Sequence, residues 1–181
     1  MYGLVNRALQ EFICTHHGDA SWQSIKNMAG VDVELFVCME SYPDEITYRL
    51  VGAACELLNI EPAALLRNFG RHWVLFTGQE GYGSLFDGAG SSLQEVLINL
   101  DHLHLRVGLM YPALKPPSFR CTDVRDDGLT LHYFSERPGL ASMVIGLIEG
   151  LGERFGKALA IRQTEDRASG ADHDIFDIRI A

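Results

Sequence analysis

Thr130-Leu-His-Tyr-Phe-Ser-Glu-Arg137 is the stretch whose reading decides the fold of this chain. Leu129, Leu131 and Tyr133 alternate with Thr130, His132 and Phe134. That two-residue period is a β-strand's, which sends every second side chain to one face. Continued as a strand to Arg137, the run brings Tyr133, Ser135 and Arg137 out together. Two hydroxyls and a guanidinium then stand at the end of an otherwise apolar row. A guanidinium fork matches a carboxylate bidentately and hydroxyls add donors, so the trio suits an anionic, planar ligand.

Outward from this strand, residues 118–124 and 129–136 read as a hairpin joined across Arg125-Asp-Asp-Gly128. A second strand pair is expected at 159–164 and 175–180, across a polar loop. Between the pairs, Leu140, Val144, Leu147, Leu151 and Phe155 form a helical stripe that Gly156 stops. Upstream the pattern is helical. Val5, Leu9 and Phe12 mark a helix over 2–17, and a second runs from Asp19 to Gly30. Pro43 opens a third, with Ile46, Leu50, Ala53 and Leu57 on one stripe. Pro62 opens a shorter one, which Gly70 is expected to close.

Residues 78–90 are glycine-rich and read as a loop. Ser92 with Glu95 then gives a capping box, and one long helix is expected to follow, ending at Pro112. The expected fold class is α+β: a helical N-terminal subdomain (about 1–60) and a part (about 61–181) with a four-stranded antiparallel sheet plus helices. Residues 1–181 read as a single domain without repeats or a linker.

Composition narrows the function classes. The 181 residues are 47% hydrophobic, enough for a sizeable core. The net charge of −9 opposes nucleic-acid backbones and anionic membrane surfaces. The N-terminus lacks a secretory pattern, so the cytoplasm is the expected location. Cys14, Cys38, Cys55 and Cys121 are scattered, without a Cys-x-x-Cys pair, as ordinary buried thiols would be. A haem in this chain would therefore be held without thioether bonds. Nucleophile-elbow, zinc-protease and P-loop motifs are all missing, and the chain is expected not to be an enzyme.

Among seven histidines, His104 falls on the apolar stripe Leu93, Leu97, Leu100, His104, Val107, Tyr111. His102 lies about 200° around the helix from it, so the His-x-His spelling cannot chelate one metal. Taken alone, an imidazole on an apolar face is more often core than ligand. Asp172 and Asp174 flank His173 in a loop and read as polar surface or a weak metal site, and Asp126-Asp127 as a solvated turn. Trp22, Phe69, Trp73 and Phe76 read as core before cofactor slot. Combined, one imidazole from an apolar wall, a Tyr/Ser/Arg donor set and a greasy surround meet the needs of non-covalent haem b. The nitrogen serves iron, and the donors serve two propionates.

The sequence also resembles the H-NOX (haem nitric oxide/oxygen binding) domains, relatives of the haem domain of soluble guanylate cyclase. The resemblance runs essentially end to end. It is carried by Met1-Tyr-Gly-Leu-Val-Asn6, Leu103-His104-Leu-Arg-Val-Gly108, Pro116-Pro117, Tyr133-x-Ser135-x-Arg137 and Gly146-Leu-Ile-Glu-Gly150. It implies haem b buried between helical and sheet-bearing parts. His104 would be the iron ligand, Tyr133, Ser135 and Arg137 the propionate clamp, and Pro117 a residue pressing on the ring. Oxygen-binding members carry a distal tyrosine; the matching position here is Met143. Trp73, Val5 and Leu147 would line the same wall.

The resemblance thus implies binding of NO and CO with exclusion of O2. Bound O2 needs a donor that Met143 lacks, although Trp73 retains an indole N–H. It further implies signalling to a separate partner, a histidine kinase or a cyclic-di-GMP enzyme. Two other readings share the same residues: a gas carrier or NO scavenger, and a haem-free module in which Arg137 grips another dicarboxylate.

Overall fold

The first sixty residues form helices because their apolar side chains recur at three- and four-residue spacing. The computed structural model describes residues 1–77, 88–111 and 114–181. Helix α1 (Gly3–His17) buries Leu9, Phe12 and Ile13, and α2 (Asp19–Met28) buries Trp22 and Ile25. Helix α3 (Asp44–Leu58) follows Pro43 and ends at Asn59, whose left-handed backbone closes it. Its buried stripe is Thr47, Leu50, Ala53 and Ala54, whereas Leu57 is exposed. The buried Asn6 carboxamide oxygen accepts the Thr47 hydroxyl at 2.7 Å, which ties α1 to α3. The N-terminal ammonium donates to the Tyr42 carbonyl and pairs with Asp44.

Helix α4 (Pro62–Thr77) runs through Gly70 instead of stopping there. A Cβ on Gly70 would strike the backbone of Met143 and Leu147, so this glycine admits a neighbouring helix. The breaker signal was a close-approach signal. The chain divides into two compact units, Met1–Phe69 and Gly70–Ala181, with the division inside α4.

In the second unit the expected long helix is two. Helix α5 (Leu93–Ile98) and helix α6 (Leu100–Met110) meet at Asn99, whose side-chain amide donates to the Ala89 carbonyl at 2.8 Å. That side chain competes with continuous helix geometry at the junction. The capping box is present: Ser92 Oγ accepts from the Glu95 N–H, and the Glu95 carboxylate accepts from Ser91 rather than from Ser92. The glycine-rich stretch over 78–87, and Pro112, lie outside the described residues.

Strands β1 (Ser118–Arg125) and β2 (Gly128–Phe134) form the hairpin, with Arg125 opposite Gly128. Helix α7 (Ala141–Arg154) follows, then β3 (Leu159–Glu165) and β4 (Asp174–Ile180). The sheet order is β1-β2-β4-β3, antiparallel throughout. Its inner face carries Leu129, Leu131, Phe176 and Ile178, all fully buried. Each contributes about 1.5–3 kcal/mol relative to exposure. With seven helices among the described residues and this sheet, the fold is α+β. The four cysteines are free and half-buried.

Candidate functional site

Helix α6 presents His104 with its tautomer settled. His104 Nδ1 lies 2.8 Å from the Leu100 carbonyl, one turn back. A carbonyl only accepts, so Nδ1 carries the hydrogen and Nε2 keeps its lone pair. Burial pushes the His104 pKa down, opposed by the Leu100 hydrogen bond and by Asp101. The ring is thus neutral at physiological pH, as a metal ligand must be.

The ring faces Phe119 at 5.0 Å between centroids, and Phe119 faces Tyr133 at 5.3 Å. Hairpin register makes this ladder, because Phe119 is the β1 partner of Tyr133. One turn before His104, Asp101 accepts from the Ser118 hydroxyl at 2.9 Å and from the Phe119 N–H at 3.0 Å. The helix bearing His104 is therefore fastened to the residues directly after Pro117, which is half-buried.

The Tyr133, Ser135, Arg137 trio is assembled differently from the sequence expectation. Strand β2 stops at Phe134, so only Tyr133 occupies a strand position, buried on the inner face. Ser135 and Arg137 belong to the turn that follows. Ser135 Oγ accepts the Arg137 N–H at 3.1 Å, and the Arg137 guanidinium donates to the Lys115 carbonyl at 2.9 Å. A serine turning back on the backbone two residues on is a local alternative to the sheet ladder. It takes Ser135 and Arg137 out of the strand row that Tyr133 ends. Arg167 supports the turn from behind, donating to the Ser135 carbonyl at 2.6 Å.

Trp73 lies on α4 beyond Gly70, between two sites of close approach to α7. Gly70 meets Met143 and Leu147, and Gly150 meets Arg71 and Val74. Trp73, Met143 and Leu147 are all half-buried. Val5, also half-buried, belongs to α1 in the first unit. His102 is exposed, as its angular position on the helix required.

Sequence reasoning passed over Asp101, Phe119 and Arg167. Asp101 had a signal, since a residue three before His104 shares its face. Phe119 had a misleading signal: counting the register back from the two-residue turn sets Arg120 opposite Tyr133, and the shift between Thr122 and Arg125 brings Phe119 there instead. Arg167 had none.

Set beside known proteins, residues 2–163 match the family described as haem-NO-binding. The chain belongs to this family, the H-NOX domains. Soluble guanylate cyclase gcy-31 of Caenorhabditis elegans is 26% identical over 175 residues, 97% of this chain and 24% of that protein. Guanylate cyclase soluble subunit beta-2 of Rattus norvegicus is 32% identical over 119 residues, 62% of this chain and 17% of that protein. The chain thus spans about a quarter or less of these curated relatives. An H-NOX protein from S. oneidensis in the Fe(II)NO ligation state shares the fold, with a TM-score of 0.89 at 20% identity over 100% of this chain and 99% of that one.

The family is a haem-binding gas-sensor domain without catalytic chemistry of its own. The donor set of this chain fits that group: a half-buried, neutral imidazole whose Nδ1–H is taken by Leu100, leaving the lone pair on Nε2, and a hydroxyl-guanidinium turn near its aromatic ladder. Among the described residues, no helix is long and apolar enough to cross a membrane.

Proposed function

We propose that this H-NOX domain binds haem b non-covalently and senses nitric oxide. His104 would hold the iron through Nε2, while Tyr133, Ser135 and Arg137 would hold the propionates. When bound, the haem supplies an open iron coordination position for a diatomic gas. The chain's own residues supply the discrimination. Met143 offers a thioether where oxygen-binding members place a phenol, so this position lacks the hydroxyl donor that stabilises charge building on O2. Leu147 extends the apolar character, and Trp73 contributes an indole N–H. CO, like NO, needs no such donor and is expected to bind.

The carrying observation is the His104 imidazole, fixed by the Leu100 carbonyl and kept neutral by burial. Signal transmission would run through the same helix. Asp101 accepts from the Ser118 hydroxyl and the Phe119 N–H beside Pro117, so a displacement of α6 is passed to β1. Pro117 would press against the ring. The assignment of the N-terminal helices as the distal part and the rest as the proximal part belongs to this proposal. So do a cytoplasmic location and an output passed to a histidine kinase or a cyclic-di-GMP enzyme.

The test is the absorption spectrum of the reduced, haem-loaded protein alone and then under NO, CO and air. NO and CO are expected to shift the Soret band, and brief exposure to air to leave it in place. A shift in air that reverses when oxygen is removed would overturn the selectivity. A protein that refuses haemin would overturn the whole reading.

A further inference from the structure

His132 and His173 make a second constellation that the haem reading leaves unused. His132 stands on β2, on the face opposite Leu131 and Tyr133, and His173 directly precedes β4. Their rings converge: His132 Nδ1 and His173 Nε2 are 2.8 Å apart. Each outer nitrogen ends on an oxygen. His132 Nε2 lies 2.9 Å from Thr122 Oγ1, and His173 Nδ1 lies 3.0 Å from Asp172 Oδ2. Phe134 stacks on the His173 ring at 4.1 Å, which fixes its plane. Metal-ligating histidines tie the outer N–H to an oxygen that sets tautomer and orientation; His173 does so through Asp172, and His132 has Thr122 Oγ1 in place for it.

We propose that His132 and His173 together bind a divalent transition-metal ion of the imidazole-preferring class, such as Zn2+, Cu2+ or Ni2+, between β2 and the β3–β4 loop.

Geometry asks the two rings to part and to turn by roughly 35°, so that both lone pairs converge on the ion instead of lying along the line between the nitrogens. Two metal–nitrogen bonds of about 2.0–2.1 Å at a tetrahedral angle place the nitrogens roughly 3.3 Å apart, about half an ångström beyond their present spacing. The protons also balance. In the neutral pair, Asp172 keeps the His173 proton on Nδ1, so His173 Nε2 accepts from His132 Nδ1–H. Metal entry needs the His132 Nδ1 lone pair, and its proton moves through solvent to Nε2. That N–H then donates to Thr122 Oγ1, and the Thr122 hydroxyl turns to Asp123 Oδ2, 3.1 Å away. Every donor keeps an acceptor, and no proton is released overall.

Among the described residues, no group of three or more His, Cys, Asp or Glu side chains could hold a metal. Water therefore completes the coordination. The His173 side chain is 15% exposed, so an ion can reach its edge. The site also has a mechanical consequence. The loop it would secure carries Arg167, which holds the Ser135 carbonyl and whose N–H donates to Asp174 at 3.1 Å.

The test is calorimetric titration of EDTA-stripped, tag-free, haem-loaded protein with ZnCl2 at pH 7.5. One Zn2+ per chain is expected. His132→Ala and His173→Ala should each weaken it by more than tenfold, and Asp172→Asn by roughly tenfold, the usual effect of losing an outer-sphere partner. An unchanged Soret band in each variant shows that the fold and the haem site persist. Should His132→Ala misfold, His173→Gln in the loop serves in its place. Zinc uptake that ignores both histidines, or none by the wild type, would overturn the proposal without touching the haem reading.

Discussion

The two faces of β2 are stabilised by opposite kinds of force. On the inner face, Leu129 and Leu131 sit opposite Ile178 and Phe176 of β4, and Cys121 and Phe119 lie across β1. These contacts depend on apolar area removed from water, and neither pH nor salt alters them strongly. On the outer face, Thr130 pairs with Asp177 and His132 with Ile175. What holds this side is directional: Arg125 to Asp177 at 2.9 Å, Arg179 to Asp127 at 3.0 Å, and the His132–His173 contact. Stability therefore resides on one face and responsiveness on the other, although neighbouring residues supply both.

The sharpest way to break that division is to remove volume from the inner face. Leu131 is fully buried, so Leu131→Ala should cost about 2–5 kcal/mol through lost transfer energy and the cavity left behind. A lower urea midpoint at unchanged slope would record it. Thr130→Ala, on the half-buried outer face, should move the midpoint far less. Equal costs would erase the distinction between the faces.

A smaller effect is expected at the ion pairs. The Arg125 and Asp177 side chains are 31% and 21% exposed, and the network also takes in Asp127 and Arg179. Asp177→Asn should cost about 1 kcal/mol, the upper end for surface-accessible pairs. The deficit should shrink in 1 M NaCl, where screening acts over about 3 Å. A deficit indifferent to salt would mean that packing, and not charge, holds the outer face.

The same contrast explains what could be read before the fold was known. Leu129, Leu131 and Tyr133 announced the strand because a half-buried face imposes a period of two on the sequence itself. His104 was legible because an apolar helical stripe is likewise local. Ser135 and Arg137 were identified as partners, but through the wrong geometry. Their turn depends on the Arg137 N–H choosing the Ser135 hydroxyl over the ladder. Gly70 was misread because a glycine that admits α7 and one that ends a helix look alike until the neighbouring helix is seen. The His173 loop reads from sequence as polar surface or a weak metal site of Asp172, His173 and Asp174. Its partner His132 and its neighbour Arg167 act across the fold, where no local period reports them. Asp174, read with it, is buried and holds the Gln163 amide at 2.9 Å.

The smallest predicted effect separates the faces by proton. Burial lowers the His132 pKa, with Arg120 of β1 and His173 adding to the shift and Asp123 opposing it; Asp172 and Thr122 also face the pair. A histidine depressed on folding is protonated first in the unfolded chain. Stability is therefore level above about pH 6.5 and declines as pH falls below that value towards the folded pKa. His132→Gln should remove this part of the decline. Melting temperatures taken in EDTA between pH 7.5 and 5.5 should accordingly drop less steeply in the variant than in the wild type. Leu131→Ala should lower the whole curve while leaving its slope alone. Parallel curves for wild type and His132→Gln would mean that the outer face takes up its proton elsewhere, and the imidazole pair would lose its standing as the responsive element of the sheet.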